Sequence, residues 1–403
     1  MPSPLLHPRH LRQVSRRALL LPLAITVSTI GCEEPTAPAR LESTPSLIEG
    51  SIPLAFRQVS AGSSSTCGVT TSYIAYCWGN GALRPVRVSG ALQFLQVSVG
   101  DNRICAITTS NRAYCWGDNS YGGLGDGTTV TSSTPVAVAG GHKFRQVSVG
   151  ADHTCAVNLW NVAFCWGRNR EGQLGTTGFT RTTPTRVVGG LLFRQVIAGG
   201  LHTCGTTTTS RAYCWGLNQY GQLGTGLERW VPSSAKPLPV VGGLQFRMVA
   251  AGGGIHLRTA DEYEGGVTCG LTTADLAYCW GETPSGLIGS APIPVKGGHR
   301  FRDINVSHHH ACGATLTNVA YCWGTNTKGQ IGDGTLSYAR YNPTRVVGGL
   351  QFKWVTTNTY SEHSCGITTL NRAYCWGANS SGRIGDGTSS ISRPQPTAVV
   401  GPL

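Results

Sequence analysis

The stretch "HTCGTTTTSRAYCWG", residues 202–216, places two cysteines nine residues apart and follows the second at once with Trp-Gly. The same Cys-x9-Cys-Trp-Gly arrangement occurs seven times in the 403-residue chain, and the nine-residue spacing never varies. The pairs are Cys67 with Cys77, Cys105 with Cys115, Cys155 with Cys165, Cys204 with Cys214, Cys269 with Cys279, Cys312 with Cys322 and Cys365 with Cys375.

The constant spacing indicates an antiparallel β-hairpin with the two cysteines facing each other. Between Cys105 and Cys115 the central residue is Ser110, so the hairpin needs an odd loop, most simply Thr109-Ser110-Asn111. Three-residue hairpin loops end in a left-handed residue, a conformation that Asn and Asp tolerate. The third loop position carries Asn111, Asn161, Asn318, Asn371 and Asp275, with Tyr73 and Ser210 as exceptions.

Facing cysteines predict one disulfide in each hairpin. Directly opposed residues at a non-hydrogen-bonded pair lie about 4.5 Å apart at Cα, close enough for a disulfide. Each disulfide would stabilise the fold by roughly 2–3 kcal/mol. Zinc is the alternative, but its neighbouring ligands usually stand two to four residues apart. Free thiols would be expected if the chain stayed in a reducing compartment.

Each repeat contains four strand-like segments. In the third repeat these are "FRQVSVG" (144–150), "HTCAV" (153–157), "VAFCWG" (162–167) and "PTRVVGG" (184–190). The cysteine pairs begin 38 to 65 residues apart, and a period near fifty with short strands is typical of propellers. We therefore predict an all-β fold over residues 52–403: a seven-bladed β-propeller of four-stranded antiparallel blades, with one disulfide inside each blade.

The N-terminus resembles a bacterial export signal. Arg9, Arg12, Arg16 and Arg17 precede an apolar run from 18 to 30, which is too short to span a bilayer. The following "TIGC" (29–32) resembles a lipobox, so we expect residues 1–31 to be a lipoprotein-type signal peptide and Cys32 to carry the lipid. "SRRALL" (15–20) also resembles part of a twin-arginine motif. Residues 32–51, rich in Pro, Ser, Thr and Glu, would form a flexible tether.

These features predict an exported lipoprotein, anchored in the membrane by lipid alone and located in the periplasm or at the cell surface; without lipidation it would be secreted. Removal of residues 1–31 leaves 28 basic and 19 acidic residues. In an exported protein this excess of positive charge favours a protein or an anionic envelope polymer as partner, and we expect no nucleic acid. We also expect a monomer.

Two sets of residues are candidates for partner binding. A basic residue follows the phenylalanine that opens six repeats, namely Arg57, Arg145, Arg194, Arg247, Arg302 and Lys353, while Leu95 interrupts the series. Equivalent positions in a propeller lie on a circle, so these cations would form a positive ring; the alternative is that they are merely the solvated neighbours of buried phenylalanines. Irregular aromatic residues at hairpin tips or in insertions form the second set: Tyr73, Trp160, Trp230 and Tyr263.

No catalytic, cofactor-binding or metal-binding residue emerges from the repeats. His153, His202, His310 and His363 occupy equivalent positions, which favours a repeated structural hydrogen bond over an asymmetric catalytic group. The glycine-rich loops lack a following Gly-Lys-Ser/Thr, and the single acids of "GDGT" lack the oxygen ligands that calcium needs. We expect turns there, and the regular tryptophans should pack between blades.

The segments "AGGLHTC" (198–204), "AYCWGLNQYGQLGTG" (212–226) and "CWGDNSYGGLGDGT" (115–128) closely resemble the regulator of chromosome condensation repeat. The resemblance covers nearly all of the chain after residue 52 and implies a seven-bladed propeller. The first repeat, with "CWGNGALRPVRV" (77–88), and the fifth, with "CWGETPSGLIGSAPIPV" (279–295), depart from the pattern because they lack the Gly-Gln-Leu-Gly loop.

The resemblance does not fix the function, because this fold carries several. The eukaryotic founder is a nuclear exchange factor for a small GTPase, and bacterial relatives include a secreted inhibitor of β-lactamases. We expect a non-catalytic binding propeller at the cell envelope. Inhibition of a secreted enzyme, guanine-nucleotide exchange and an unrecognised hydrolase or lyase acting on an anionic polysaccharide remain alternatives.

Overall fold

The structure, a computed structural model, describes residues 54–226, 233–256, 263–283 and 286–402, without the side chains of 254–256, 263–264, 283 and 286–287. The predicted signal peptide (1–31), Cys32 and the whole predicted tether (32–51) lie outside these ranges. The described residues form 28 strands in seven four-stranded sheets, and each sheet is built from four consecutive antiparallel strands. This confirms the all-β, seven-bladed propeller.

Blades 1 to 7 take their strands in chain order. Blade 1 has β1 Phe56–Ala61, β2 Ser65–Thr70, β3 Ala75–Gly79 and β4 Ala82–Arg87. Blade 2 has β5 Phe94–Val99, β6 Arg103–Thr108, β7 Ala113–Gly117 and β8 Ser132–Ala137. Blade 3 has β9 Phe144–Val149, β10 His153–Asn158, β11 Ala163–Gly167 and β12 Arg181–Arg186. Blade 4 has β13 Phe193–Ala198, β14 His202–Thr207, β15 Ala212–Gly216 and β16 Ser234–Pro239.

The last three blades follow the same order. Blade 5 has β17 Phe246–His256, β18 Tyr263–Thr272, β19 Ala277–Thr283 and β20 Gly286–Pro294. Blade 6 has β21 Asn305–Val306, β22 His310–Ala314, β23 Ala320–Thr325 and β24 Ala339–Arg345. Blade 7 has β25 Phe352–Thr356, β26 His363–Thr368, β27 Ala373–Ala378 and β28 Ser392–Ala398. The insertion between the fourth and fifth cysteine pairs lengthens β17 and β18 beyond their counterparts.

The predicted disulfide is present in every blade. The two cysteines are directly paired across the second and third strands and lie 4.0–4.1 Å apart at Cα. From blade 1 to blade 7 the disulfides join Cys67 to Cys77, Cys105 to Cys115, Cys155 to Cys165, Cys204 to Cys214, Cys269 to Cys279, Cys312 to Cys322 and Cys365 to Cys375. The pairing predicted from the nine-residue spacing is therefore confirmed, and these fourteen cysteines are neither zinc ligands nor free thiols.

The hairpin loops also have the predicted geometry. The third loop residue is left-handed in all seven hairpins, with φ from 61° to 65°. Tyr73 and Ser210 adopt this conformation too, so the loop geometry holds even where the residue type is unfavourable.

The first strand of each blade lies next to the propeller axis. An axial cavity of about 250 Å³ is lined by first-strand residues from all seven blades. Glutamines close the spaces between neighbouring first strands. Gln58, for example, donates to the carbonyl of Val97 at 2.7 Å and accepts from its N–H at 2.8 Å, and Gln96 and Gln146 repeat this with the next blade. The Gln of "FRQVS" thus satisfies main-chain groups at the inner edge.

Each blade packs a phenylalanine, which begins the opening strand in six blades and precedes it in blade 6, on the tryptophan after its second cysteine, with ring centroids 5.6–6.4 Å apart. These aromatic residues belong to apolar clusters that join adjacent blades. Trp166, Trp215 and Trp280 are wholly buried. The regular tryptophans therefore pack between blades, as expected.

A chain of hydrogen bonds, here called the inter-blade relay, crosses most blade interfaces. Between blades 3 and 4, His153 Nε2 lies 2.8 Å from Thr203 Oγ1, and that hydroxyl donates to the carbonyl of Gln173 at 2.7 Å. The same carbonyl accepts from the indole N–H of Trp215 at 3.0 Å. Equivalent relays begin at His202, His310 and His363, so the four histidines are structural.

The ring closes by contact between complete blades. Blade 7 consists of β25–β28 and blade 1 of β1–β4, so the two chain ends do not share a sheet. A relay joins His363 to Thr66, and Trp78 donates to the carbonyl of Arg383 at 3.0 Å. Phe56 and Trp78 pack in one apolar cluster with residues of blade 7. The interface that closes the disc therefore repeats the chemistry of the internal ones.

Candidate partner-binding face

Strand direction divides the propeller into two faces. Because the four strands of a blade alternate in direction, the hairpin between the second and third strands and the connector to the next blade emerge on one side, here called the hairpin face. The connections between the first and second and between the third and fourth strands emerge on the other side, the loop face. The opening residues of the first strands therefore lie at the hairpin face.

Each cation of the predicted ring contacts the hairpin tip of its own blade. Arg145 donates to Asn161 Oδ1 at 2.8 Å, and Arg302 donates to Asn318 Oδ1 at 2.6 Å. Arg247 forms a 2.7 Å ion pair with Asp275. Lys353 binds Asn371, Arg194 donates to the carbonyl of Thr208, and Arg57 lies over the ring of Tyr73.

Two of the ring residues, Arg145 and Arg247, also connect neighbouring blades. Arg145 donates to the carbonyls of Phe193 and Arg194, and Arg247 donates to those of Phe301 and Arg302. Burial and, after it, the charge of Arg194 lower the pKa of Arg145. Arg57, Arg145 and Arg194 are exposed beside buried phenylalanines, as the alternative of solvated neighbours expects, and Arg145 and Arg247 also hold main-chain carbonyls of the next blade.

The hairpin face is far more basic than the ring alone. Arg112, Arg211 and Arg372 directly follow the left-handed loop residue, and their side chains make no hydrogen bond or ion pair with the rest of the described chain. The sequence analysis did not single out these three arginines, although their position directly after Asn111, Ser210 and Asn371 places them at hairpin tips. The inter-blade connectors add three further cations, Lys143, Lys296 and Arg300.

Acidic residues are distributed in the opposite way. The seven hairpin tips and six connectors, all of which are described, contain two acids: Asp275, which is paired with Arg247, and Asp303, which is wholly buried and accepts from main-chain N–H groups. The connections of the loop face carry Asp101, Asp118, Asp126, Asp152, Glu171, Asp333, Glu362 and Asp386. The hairpin face therefore carries its positive charge with almost no compensating acid, whereas Arg168, Arg340 and Arg393 pair with acids of the loop face.

Exposed apolar side chains lie among these cations. Trp160 is 69% exposed at the tip of blade 3, and Tyr73 is 38% exposed at the tip of blade 1. Leu159, Leu316 and Leu370 at hairpin tips are also exposed. Aromatic residues and arginines dominate the energetics of protein interfaces, so this face has the composition of a binding surface.

The remaining candidates are not brought to this face. Tyr263 begins β18, at the loop face, and its side chain is outside the described part of the chain. Trp230 and Cys32 also lie outside the described ranges. Of the four irregular aromatic residues, the structure therefore unites Tyr73 and Trp160 with the cationic ring.

The loop face consists of structural turns. Asp126 accepts from the N–H of Thr128 at 3.0 Å and from the hydroxyl of the same residue, as a turn-forming aspartate does. The part of the chain that the structure describes contains no cluster of three His, Cys, Asp or Glu side chains that could hold a metal ion. Within the same described ranges there is also no helix long and apolar enough to cross a membrane.

Comparison with known proteins agrees with the blade pattern. The family model of the regulator of chromosome condensation (RCC1) repeat matches residues 110–157, 162–205 and 210–256. A second model of this repeat matches residues 94–122, 144–173, 193–222 and 355–383. No curated protein sequence matches the chain significantly.

Solved structures are similar in fold at low identity. Human WBSCR16 has 19% identity and a TM-score of 0.67, over 76% of this chain and 85% of that one. Prp20p from Saccharomyces cerevisiae has 18% identity and a TM-score of 0.63, over 75% and 80%. The CRINKLY WD40 ectodomain of the Arabidopsis thaliana receptor kinase ACR4 has 19% identity and a TM-score of 0.52, over 80% and 96%. With its repeats matched in consecutive blades and its seven-bladed fold, the chain belongs to the RCC1 repeat family.

Proposed function

We propose that the protein is a non-catalytic binding propeller, exported and anchored at the cell envelope, that holds an acidic partner protein against its hairpin face. The observation that carries this proposal is the charge of the hairpin face: the ring cations and three arginines without a side-chain partner share this face with one paired acid, Asp275, and one wholly buried acid, Asp303. Such a face attracts acidic surfaces over a distance and orients them during encounter.

The exposed tips support a protein as the partner. Trp160 and Tyr73 present broad apolar surfaces within the cationic field, and such side chains add affinity that charge alone does not. An anionic polymer would be attracted by the cations but would gain less from these aromatic rings.

The disulfides support residence outside the cytoplasm. One disulfide in each blade is typical of proteins that fold in an oxidising compartment. Export by residues 1–31 and a lipid on Cys32 fit that compartment. Fractionation of cells labelled with radioactive palmitate tests this part: label on the protein that disappears with Cys32→Ala supports the anchor, and unlabelled protein in the cytosol contradicts it.

The relatives are consistent with protein binding as the general use of this fold. The structure of Prp20p was reported together with its binding to Gsp1p and histones, and Kap60 was solved bound to yeast RCC1 (Prp20). At 18% identity this likeness concerns the fold, so nucleotide exchange is not carried over to this chain. Inhibition of a secreted enzyme would be one form of the proposed binding.

The hairpin face can be tested with poly-L-glutamate as an acidic polypeptide. We expect the purified exported protein to bind it with an affinity that falls as sodium chloride is raised, because screening weakens surface attraction. The triple variant Arg112→Gln, Arg211→Gln and Arg372→Gln should bind about tenfold more weakly, since the three surface charges contribute roughly 0.5 kcal/mol each.

A matched variant removes the same charge from elsewhere. Arg84→Gln, Arg181→Gln and Lys328→Gln together change the net charge equally but lie away from the hairpin face. We expect this variant to retain at least about half of the affinity. Equal losses in both triple variants would mean that net charge governs binding and would contradict the proposed face. Trp160→Ser then distinguishes a protein partner from an anionic polymer. We expect this substitution to weaken the binding of an acidic protein and to leave the binding of dextran sulfate unchanged.

A further inference from the structure

Two blade interfaces lack the inter-blade relay. In blades 1 and 5 the third strand turns directly into the fourth: Gly79 pairs with Ala82, and Thr283 pairs with Gly286. No loop from these blades therefore reaches the tryptophan of the next blade. The remaining relay members change with the loop, because Val267 stands in place of the histidine and Ala311 in place of the threonine between blades 5 and 6.

The tryptophan of blade 6 nevertheless keeps its usual position. The ring of Trp323 packs on Phe301 with centroids 5.9 Å apart, as Trp280 packs on Phe246 at 5.8 Å. In the complete interface the Trp280 indole donates to the carbonyl of Gln222 at 3.0 Å. The indole N–H of Trp323 has no acceptor among the described residues, and its ring is only partly buried. A donor is therefore held in place without the acceptor found elsewhere.

The missing loop leaves a cavity. A space of about 340 Å³ lies between blades 5 and 6. Its lining includes the apolar Val267, Cys279, Ile288, Ile293 and Ala311, the ring of Trp323, and the polar Lys296, His309, His310, Arg340 and Asn342. Between blades 1 and 2 the corresponding place is occupied by the larger Ile104, and Trp116 is only 7% exposed there. Loss of the loop alone does not open the interface; the small Ala311 keeps it open.

The complete interfaces show what fits this shape. Between blades 4 and 5 the carbonyl of Gln222 accepts from the indole, the side chain of Leu223 is 1% exposed, and Gly224 follows. Gly224 has φ +68°, and a Cβ there would lie 2.7 Å from the Trp280 indole nitrogen, so only glycine fits. Blade 6 repeats the pattern with Gln330 and the buried Ile331.

We propose that the cavity between blades 5 and 6 binds a turn from a partner protein, in which a leucine or isoleucine is followed by glycine. The aliphatic side chain fills the apolar cavity, and the carbonyl of the residue before it accepts from the indole N–H of Trp323. The partner thus supplies in trans the loop that blade 5 lacks. This site is separate from the hairpin face and does not depend on the function proposed for it.

A peptide copied from the chain itself provides the probe. A cyclic peptide with the sequence of residues 216–226, GLNQYGQLGTG, carries the complete loop of blade 4. We expect it to bind the purified full-length protein weakly, with a Kd on the order of 100 μM, and to shift the indole resonance of Trp323, identified by its loss in Trp323→Phe. Peptides with Leu223→Ser or Gly224→Ala should bind at least about tenfold more weakly.

Variants of the protein locate the site. Ala311→Ile fills the cavity as Ile104 does in blade 2, and it should reduce peptide affinity at least about tenfold while leaving the melting temperature unchanged or higher. Trp323→Phe should reduce affinity about fivefold through loss of one hydrogen bond. The matched control, Trp116→Phe in the closed interface, should leave binding unchanged.

Three results would overturn the proposal. These are absence of peptide binding at millimolar concentration, binding that persists in Ala311→Ile, and equal affinity for the Leu223→Ser peptide. Binding of a small apolar dye that Ala311→Ile abolishes, without any binding of the peptide, would likewise assign the cavity to a small molecule. None of these readouts involves the basic hairpin face.

Discussion

His153 of blade 3 and Thr203 of blade 4 are joined by a 2.8 Å contact between Nε2 and Oγ1 across a fully buried interface. The Thr203 hydroxyl donates its proton to the carbonyl of Gln173, so its oxygen accepts from the histidine. His153 is therefore neutral with its proton on Nε2. A single hydroxyl thus fixes the histidine of one blade and a loop carbonyl to the next blade.

Thr203→Val should destabilise the propeller. Valine has nearly the same shape but leaves the Nε2 proton of His153 without an acceptor in a buried interface, which costs about 1–3 kcal/mol. Equilibrium denaturation in guanidinium chloride would measure the loss. Thr183→Val, on the exposed outer strand, is the control and should change the unfolding free energy by less than about 0.5 kcal/mol. Equal effects of the two substitutions would show that the relay contributes nothing.

Acidification should destabilise the protein well before its carboxylates are protonated. Burial lowers the pKa of His153, His202 and His310 to about 3 and that of His308 to about 4, and it also lowers the pKa of His363. The unfolded chain binds these protons below pH 6.5, so stability falls as the pH drops below that value.

Asp303 acts in the opposite direction. Burial raises its pKa to about 7, so the folded chain holds a proton that the unfolded chain releases between pH 3.8 and 7. With five histidines against this one acid, unfolding at pH 5 should take up about four protons. Denaturation midpoints measured from pH 7.5 to 4.5 would give this slope, and His202→Gln should lower it by about one. A flat profile would contradict buried neutral histidines.

The hairpins could be predicted from sequence because their determinants are local. Nine residues between cysteines leave a three-residue loop, and Asn at its third position specifies the left-handed turn that sets the register. Tyr73 and Ser210 are exceptions in residue type, but they adopt the same left-handed conformation because the loop length requires it. Fold class, strand number and cysteine pairing all follow from this repeated unit.

The candidate sites could be predicted only in part, because they depend on contacts between repeats. The cations of the ring could be predicted because they occupy the same position in six of the seven repeats. Their hydrogen bonds to Asn161 and Asn318, which join residues 16 apart, could not be predicted in this way. The cavity results from three changes: Val267 and the short turn in blade 5, and Ala311 in blade 6. These changes form one cavity only because the two blades are neighbours in the fold. Single repeats did not reveal that these changes belong together.

Two disulfides should be reduced before the other five. Cys77 is partly exposed and Cys279 is 5% exposed, whereas the cysteines of the complete interfaces are wholly buried. Both belong to blades without the loop, so a reductant can reach their sulfurs without global unfolding. Under native conditions we expect Cys67–Cys77 and Cys269–Cys279 to open at least roughly tenfold faster.

Differential alkylation followed by mass spectrometry would measure the order of reduction. Ala311→Ile narrows the cavity beside Cys279 and should slow reduction of Cys269–Cys279 while leaving Cys67–Cys77 as it was. Uniform reduction of all seven disulfides would indicate that opening requires unfolding of the whole disc.

Leu95→Arg should complete the cationic ring. Leu95 interrupts the series in blade 2, where Asn111 has the same left-handed conformation as Asn161, so a guanidinium there can donate to the Asn111 side chain as Arg145 does to Asn161. We expect the affinity for poly-L-glutamate to rise about two- to threefold and the unfolding free energy to change by less than about 0.5 kcal/mol. Val130→Arg adds the same charge at an exposed position of the loop face and should leave the affinity nearly unchanged. If both substitutions raised the affinity equally, the position of the added charge would not matter. This result would contradict binding at the hairpin face.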